Sequence, residues 1–404
     1  MSARTPLSLF ALGALLGTIT SVGGWLLAPI ESVYLSRLTD NEFLIGLTFA
    51  LGSIASALLA LYLGRLSDRL GRKRILLVGL ALGVVFPLIY SFAINIVMYM
   101  GGKLLWATTA VAAGPLLGAY LQSLVQGLPQ RGHYLSLYYS AMSLSGALGH
   151  FLGGYITDVF SFTATFFTLA GIYAIATFVA WFILHEDVRP GAHLEEAEES
   201  EPRDLFFGIR YIFTRTALIY YFILNSSFAI AYKIKLLLWP LIVFQFTESA
   251  QVMGTIFAMT GVVAFLILLR SGKVVDRFGP YVAVHIAFTS GIVGGVLMGT
   301  ADGVWLFALG AFFFTVAEAF YGSAQGVLLI DHVENRYRGE ILGVDHIFDR
   351  VLGAGGMLLA GGLMVLLTPQ DVWLLLVGAL TVSYLGASWY RVFRLDRFTP
   401  VSSS

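Results

Sequence analysis

About twelve runs of mainly apolar residues, each long enough to cross a bilayer, leave this chain few folds to adopt. A spanning helix needs roughly 20 such residues. The runs lie near 8–30, 43–63, 75–93, 96–124, 135–157, 161–185, 217–244, 250–270, 281–299, 304–329, 341–367 and 372–392. A turn around Ala93–Asn95 parts the third from the fourth. Only 12% of the 404 residues are charged and the mean hydropathy is +0.82, too few charges to cover a water-soluble surface. The expected class is all-α integral membrane. The first run, after Arg4, has no small-residue cleavage site ahead of polar sequence, so it reads as a membrane helix and not a removed signal. The chain has no cysteine, which excludes disulfides, thiolate metal sites and a cysteine nucleophile.

The 24 basic and 24 acidic residues cancel, so net charge points to no nucleic-acid partner. Their placement carries the information. Arg4, Arg65, Arg69, Arg72, Lys73, Arg74, Arg131, Arg189, Arg203, Arg210, Arg215, Arg270, Lys273, Arg277, Arg336, Arg338, Arg391, Arg394 and Arg397 fall on one side of the twelve runs. The other side holds one cation, Arg37, with Asp40, Glu42, Asp158, Glu248, Asp302 and Asp371. Positive charge is retained on the cytoplasmic face. The expectation is a multi-pass protein of the cell membrane with both termini in the cytoplasm and the lipid bilayer as its first partner.

The densest basic turn is Gly64-Arg65-Leu66-Ser67-Asp68-Arg69-Leu70-Gly71-Arg72-Lys73-Arg74, between the second and third runs. It resembles the loop between helices two and three of the major facilitator superfamily, Gly-x-Leu-x-Asp-Arg-x-Gly-Arg-Lys/Arg, and fills every named position. A weaker copy stands 208 residues later as Gly272, Asp276, Arg277 and Gly279. Arg131-Gly132 recurs 207 residues on as Arg338-Gly339, and Gly146 and Gly149 as Gly353 and Gly356. Two landmarks at nearly one offset argue for duplication, the organisation of that superfamily's fold. The resemblance implies twelve transmembrane helices in two pseudo-symmetric six-helix bundles, expected at 1–185 and 217–404 and joined by a cytoplasmic linker at 186–216. In that linker the acidic run from Glu195 to Glu201 reads as a solvated segment, His193 has no metal-ligand spacing, and Phe206–Arg215 reads as an interfacial amphipathic stretch. No metal site is expected.

An ionisable group at membrane depth costs at least ~2.5 kcal/mol on insertion scales, so each asks for a partner or a function. Lys103, with Trp106 on the same face, lies in the fourth span, Lys233 and Lys235 in the seventh, Glu318 in the tenth, and Asp345, His346, Asp349 and Arg350 in the eleventh. At 3.6 residues per turn Asp345 and Asp349 share a face, where two carboxylates repel unless a cation intervenes. Either a proton carrier or a structural ion pair fits. Glu318 falls on a stripe with Phe314, Tyr321, Gly322 and Gln325, near mid-depth, where Arg350 or Lys233 can reach it. Lys233 shares a face with Asn225, Ala229 and Tyr232, whereas Lys235 is turned about 200° away and reads as snorkelling beside Trp239. A gate pair between Glu31, at the outer end of the first span, and Lys233 or Lys235 is a further expectation.

The resemblance adds roles to these positions. It implies that spans one, four, seven and ten line a central cavity. It also implies that Gly64, Asp68, Arg69, Gly71, Arg72 and the second copy latch the bundles, with Asp68 accepting from the start of span eleven near Gly339–Ile341. Lys103 matches the part of span four where the superfamily often has an arginine, but Ala107-Thr108-Thr109 replaces the glycines that follow it there. Gly146, Gly149, Gly153 and Gly154 resemble the span-five glycines of proton-antiporting exporters, but His150 stands where those have proline. Small residues at that spacing also serve simple helix packing. No phosphate-binding loop, His-Glu-x-x-His or Gly-x-Ser-x-Gly occurs, so the chain is not expected to be an enzyme and its drive is expected to be a proton gradient with no cofactor. The function expected is secondary active transport of a small molecule by a monomer, with export of a drug-like or amphiphilic compound favoured. Proton-linked uptake of a polar or anionic metabolite is the alternative, and a non-transporting membrane sensor or assembly factor a further one.

Overall fold

The computed structural model describes residues 6–125, 131–184, 207–334 and 337–393. All regular structure among them is helical, as it must be where no water is present to take up unpaired backbone groups. Eleven helices are long and apolar enough to span a membrane. Arg131–Val159, diluted by Ser136, Ser140, Ser143, Ser145 and His150, is long enough at 29 residues to make a twelfth. The described residues form two compact units, 1–201 with 249–262, and 202–248 with 263–404.

The first unit holds α1 (Pro6–Leu26), α2 (Glu42–Leu70), α3 (Arg72–Ser91), α4 (Ile96–Val125), α5 (Arg131–Val159) and α6 (Phe162–Ile183). The first expected span, near 8–30, lies within the candidate span Leu7–Ser36, but its helix is interrupted. Pro29 has no N–H with which to continue the helix, so α1 ends at Leu26, the chain bends, and a separate helix Glu31–Leu38 follows. A similar interruption lies in α4, where Ala112–Leu116, containing Pro115, forms one π-helical turn. Proline again removes a backbone donor, and the ladder absorbs the loss by widening locally. The turn expected at Ala93–Asn95 is present, and the Asn95 side chain accepts from Met98 N–H (2.9 Å) to cap α4.

Helix α5 lies against α1 at backbone distance. A Cβ on Gly149 or Gly153 would run into the carbonyl oxygens of Val22 and Leu26. The span-five glycines therefore serve close helix contact, the packing role small residues play in membranes.

Helix α8 (Ala250–Phe278) belongs to both units, its first turns to the first and the remainder to the second. In the first unit Asp158, near the end of α5, caps it. The carboxylate accepts from Ser249 Oγ (2.5 Å), Ala250 N–H (2.8 Å) and Gln251 N–H (3.0 Å), neutralising donors that a helix start leaves unpaired.

The second unit holds α7 (Thr216–Thr247), α9 (Pro280–Gly299), α10 (Val304–Ile330), α11 (Arg338–Met364) and α12 (Pro369–Val392). A short helix, Phe207–Phe213, precedes α7. Its Tyr211 and Ile212 are buried in the core of this unit, so the stretch expected to be interfacial is anchored. The acidic run from Glu195 to Glu201 lies outside the described residues. Trp239, Phe307, Phe314 and Trp373 form a ring cluster with centroids 5.5–6.0 Å apart, and Trp373 Nε1–H donates to Gly295 O (3.0 Å).

The two copies of the basic turn fold alike. Gly71 (φ 97°) ends α2 and begins α3, and Gly279 (φ 83°) joins α8 to α9 in the same way. Each N–H returns to the preceding helix, Gly71 to Ser67 O (3.0 Å) and Gly279 to Val275 O (2.8 Å). That backbone conformation is open to glycine and strained for other residues.

Candidate functional site

Among the described residues, each unit sets a lysine–carboxylate pair beside aromatic rings. In the first unit Lys103 on α4 is 3% exposed and Glu31 is 7% exposed. The Lys103 ammonium donates to Glu31 Oε1, which also accepts from Tyr99 OH (2.9 Å). The ammonium stands 4.2 Å from the Trp106 ring centroid and 5.0 Å from that of Phe49. Gly52 on α2 makes room for it, since a Cβ there would come within 2.8 Å of Lys103 Cε and 3.2 Å of Trp106. Lys103 and Trp106 thus share a face as their spacing predicts. The partner of Lys103 is Glu31, which the bend at Pro29 carries into the interior.

In the second unit the pair is Lys235 on α7 with Glu318 on α10. Lys235 is 6% exposed and does not snorkel, which corrects one expectation, and where Lys233 or Arg350 was expected at Glu318, Lys235 stands. The divergence of the two lysines around α7 is as expected, but they face different neighbours. Lys233 packs its stem over Gly353 of α11 within electrostatic reach of Asp349 and Arg350, while Lys235 turns to α10. Glu31 and Lys235, expected as gate residues, each have a partner within their own unit, Lys103 and Glu318. The Lys235 ammonium is 4.8 Å from the Tyr232 ring centroid, 4.9 Å from that of Trp239 and 5.9 Å from that of Phe314.

In the same unit, Asp345 on α11 accepts from Asn225 Nδ2 (2.9 Å) and Tyr221 OH (3.2 Å). Asn225 Oδ1 in turn accepts from Tyr321 OH (3.1 Å). These bonds tie α7, α10 and α11 together through one carboxylate. His346 is exposed and within electrostatic reach of Asp345.

A sequence model of the Major Facilitator Superfamily matches residues 13–353. The chain belongs to that superfamily. It is a membrane transporter and not an enzyme, and the resemblance of its basic turns is a family relation. The multidrug resistance protein MdtG of Dickeya zeae is 26% identical over 392 residues, which span 94% of this chain and 93% of that one. Among solved structures, a mutant of the nucleoside transporter NupG superposes with a TM-score of 0.79 at 15% identity, covering 95% of this chain and 99% of that one. The xylose transporter XylE from E. coli gives 0.71 at 14%, covering 99% and 98%. At these identities the structures support the all-α major facilitator fold alone.

Of the transporter's expected latch residues, Arg69, Asp276 and Arg277 are exposed and Arg72 is half-buried. Gly64 and Gly272 have no neighbour within 4 Å of a would-be Cβ. The Asp68 side chain, and with it the expected bond to the start of α11, lies outside the described residues. Sequence reasoning named Glu31 and Lys235 only as gate residues and Asn225 and Tyr321 only as neighbours on a helix face, and it missed Tyr99 and Tyr221. Depth could have found the first pair: Lys103 lies seven residues after Ile96, the start of α4, about 10 Å along the helix at 1.5 Å per residue, and Glu31 is the carboxylate placed nearest that level by the expected spans.

Proposed function

We propose that this transporter exports a drug-like or amphiphilic compound in exchange for protons. The observation that carries the reading is the Lys235–Glu318 pair, a titratable group set among the rings of Tyr232, Trp239 and Phe314. Polar groups few in number and set in apolar walls are what an amphiphile-binding site needs. The name of the MdtG relative, matched over nearly its whole length, supports the same direction. The distribution of basic residues supports cytoplasmic termini in the cell membrane, and no cofactor beyond the gradient is called for. The working unit proposed is the monomer.

The test is efflux from proteoliposomes preloaded with members of an amphiphile panel, with the outer medium made acidic. One pH unit is ~1.4 kcal/mol, enough to hold about a tenfold concentration ratio per proton exchanged. Efflux that follows the gradient, and is lost in Glu318→Gln, is expected. Transport indifferent to pH in both proteins would remove proton coupling. A second reading, proton-linked uptake of an anionic metabolite, is favoured by Lys103 in its box of Trp106 and Phe49. Acid-driven accumulation of an organic anion in the same vesicles would select it.

A further inference from the structure

The second-unit pair contains more aromatic surface than an ion pair requires. A lysine and a glutamate neutralise one another without help, yet three ring centroids lie 4.8–5.9 Å from the Lys235 ammonium. Ring faces carry partial negative charge and attract cations, and several of them around one carboxylate form a receptor for an organic ammonium. Two of the rings are fixed independently of the lysine. Trp239 and Phe314 both pack on Trp373, which is itself held by its bond to Gly295 O. The cage is therefore preformed, and Lys235 fills it.

We propose that Lys235 is a tethered stand-in for the substrate. The cargo is a lipophilic amine or quaternary cation that takes the ammonium's place between Glu318 and the rings of Tyr232, Trp239 and Phe314, and Lys235 gives up its proton on being displaced. This rests on the export reading and names its substrate class. The charge count motivates the proton. With Lys235 protonated and Glu318 ionised, the site is neutral. A second cation beside one partly buried carboxylate leaves an excess charge in low dielectric, and release of the lysine proton to water on the side from which the cargo arrives restores neutrality. On the opposite side the cargo leaves, Lys235 takes up a proton from water there and returns to Glu318. One cation leaves for each proton that enters, and Glu318 stays ionised throughout.

The surrounding charges do not substitute for Lys235. On α7, Lys233 is turned towards Asp349 and Arg350 of α11. Tyr232 lies within reach of Glu318 and Asp349, and α12 presents the Trp373 ring. Lysine suits the role because its ammonium is a compact charge that can lose its proton, which a guanidinium in a protein does not.

The probe is tetraphenylphosphonium, a permanent cation with no proton of its own, added to the full-length protein in weakly buffered detergent. Heat of binding and an indicator dye report ligand and proton together. Release of about one proton per cation bound is expected from the linkage, and this measurement needs no variant. In Lys235→Arg, proton release should fall to near zero, because a guanidinium keeps its proton. In Lys235→Arg, affinity should fall about tenfold or more, because the cage cannot be vacated as a neutral group. No binding to the wild-type protein, or proton release or affinity unchanged in Lys235→Arg, overturns the proposal. Outward transport of uncharged or anionic compounds by a protein that ignores tetraphenylphosphonium overturns the cage and leaves the export reading standing. Cation binding with proton release, in a protein that moves nothing outward, overturns the export reading and supports the cage.

Discussion

Glu31→Gln changes one charge and almost no volume, so its effect isolates what the carboxylate does for Lys103. The amide that replaces the carboxylate keeps an oxygen able to accept from Tyr99 OH, whose bond to Glu31 is 2.9 Å. What is lost is the anion facing an ammonium that is 3% exposed. Removing one partner of a buried pair costs ~3–5 kcal/mol. The faces of Trp106 and Phe49, at 4.2 and 5.0 Å, offset ~1 kcal/mol of that, which leaves about 2–4 kcal/mol. Adding Lys103→Met should restore most of the loss, since exchanging a whole buried pair for neutral groups is close to neutral. The assay is unfolding in mixed micelles followed by tryptophan fluorescence, with all four proteins closing a double-mutant cycle. A single variant as stable as the parent, or a double variant no better than the single, would refute the claim that each charge is there to compensate the other.

Other outcomes follow from geometry. Gly153→Ala drives a methyl into the Leu26 carbonyl and should abolish folded protein on size exclusion, whereas Gly171→Ala on α6, with nothing within 4 Å, should be recovered at parental yield. Asp158→Asn leaves one oxygen for donors that now share two, and should cost about 1 kcal/mol of helix-start stability, read as faster amide exchange at Ala250 and Gln251. Gly71→Ala and Gly279→Ala force a side chain into positive φ and should each lower stability by ~1–2 kcal/mol; equal melting temperatures to the parent would contradict this. Asp68→Asn is expected to impair transport while leaving the melting curve in place, and full transport in that variant would take the latch out of the mechanism.

The architecture was legible because the bilayer reduces the choice to one kind of element, and because a run of about 20 apolar residues is a signal with few competitors. The turn glycines were legible too, since only glycine fits the conformation that Gly71 and Gly279 adopt. Pairing was not. Helical periodicity separated Lys233 from Lys235 correctly, but it gives no azimuth relative to a neighbouring helix, so Glu318 was matched with the wrong lysine. Glu31 was misplaced for a different reason: its position depends on the bend at Pro29, and hydropathy runs straight through that proline. Asn225 and Tyr321 were read only as face neighbours of Lys233 and Glu318, and Tyr221 not at all, because uncharged groups gave no sign that Asp345 collects them.

The order of charge in the two buried pairs is reversed. In the first unit the carboxylate follows α1 and the lysine lies on α4; in the second the lysine lies on α7, the counterpart of α1, and the carboxylate on α10. Each of these two pairs is therefore closed within its own unit. A duplicated gene arranged in this way can lose or exchange a pair on one side while the sibling copy stays unchanged, and the two halves are free to diverge at different rates. It also follows that the halves, made as separate polypeptides, would each enter the membrane without an uncompensated ion from these pairs.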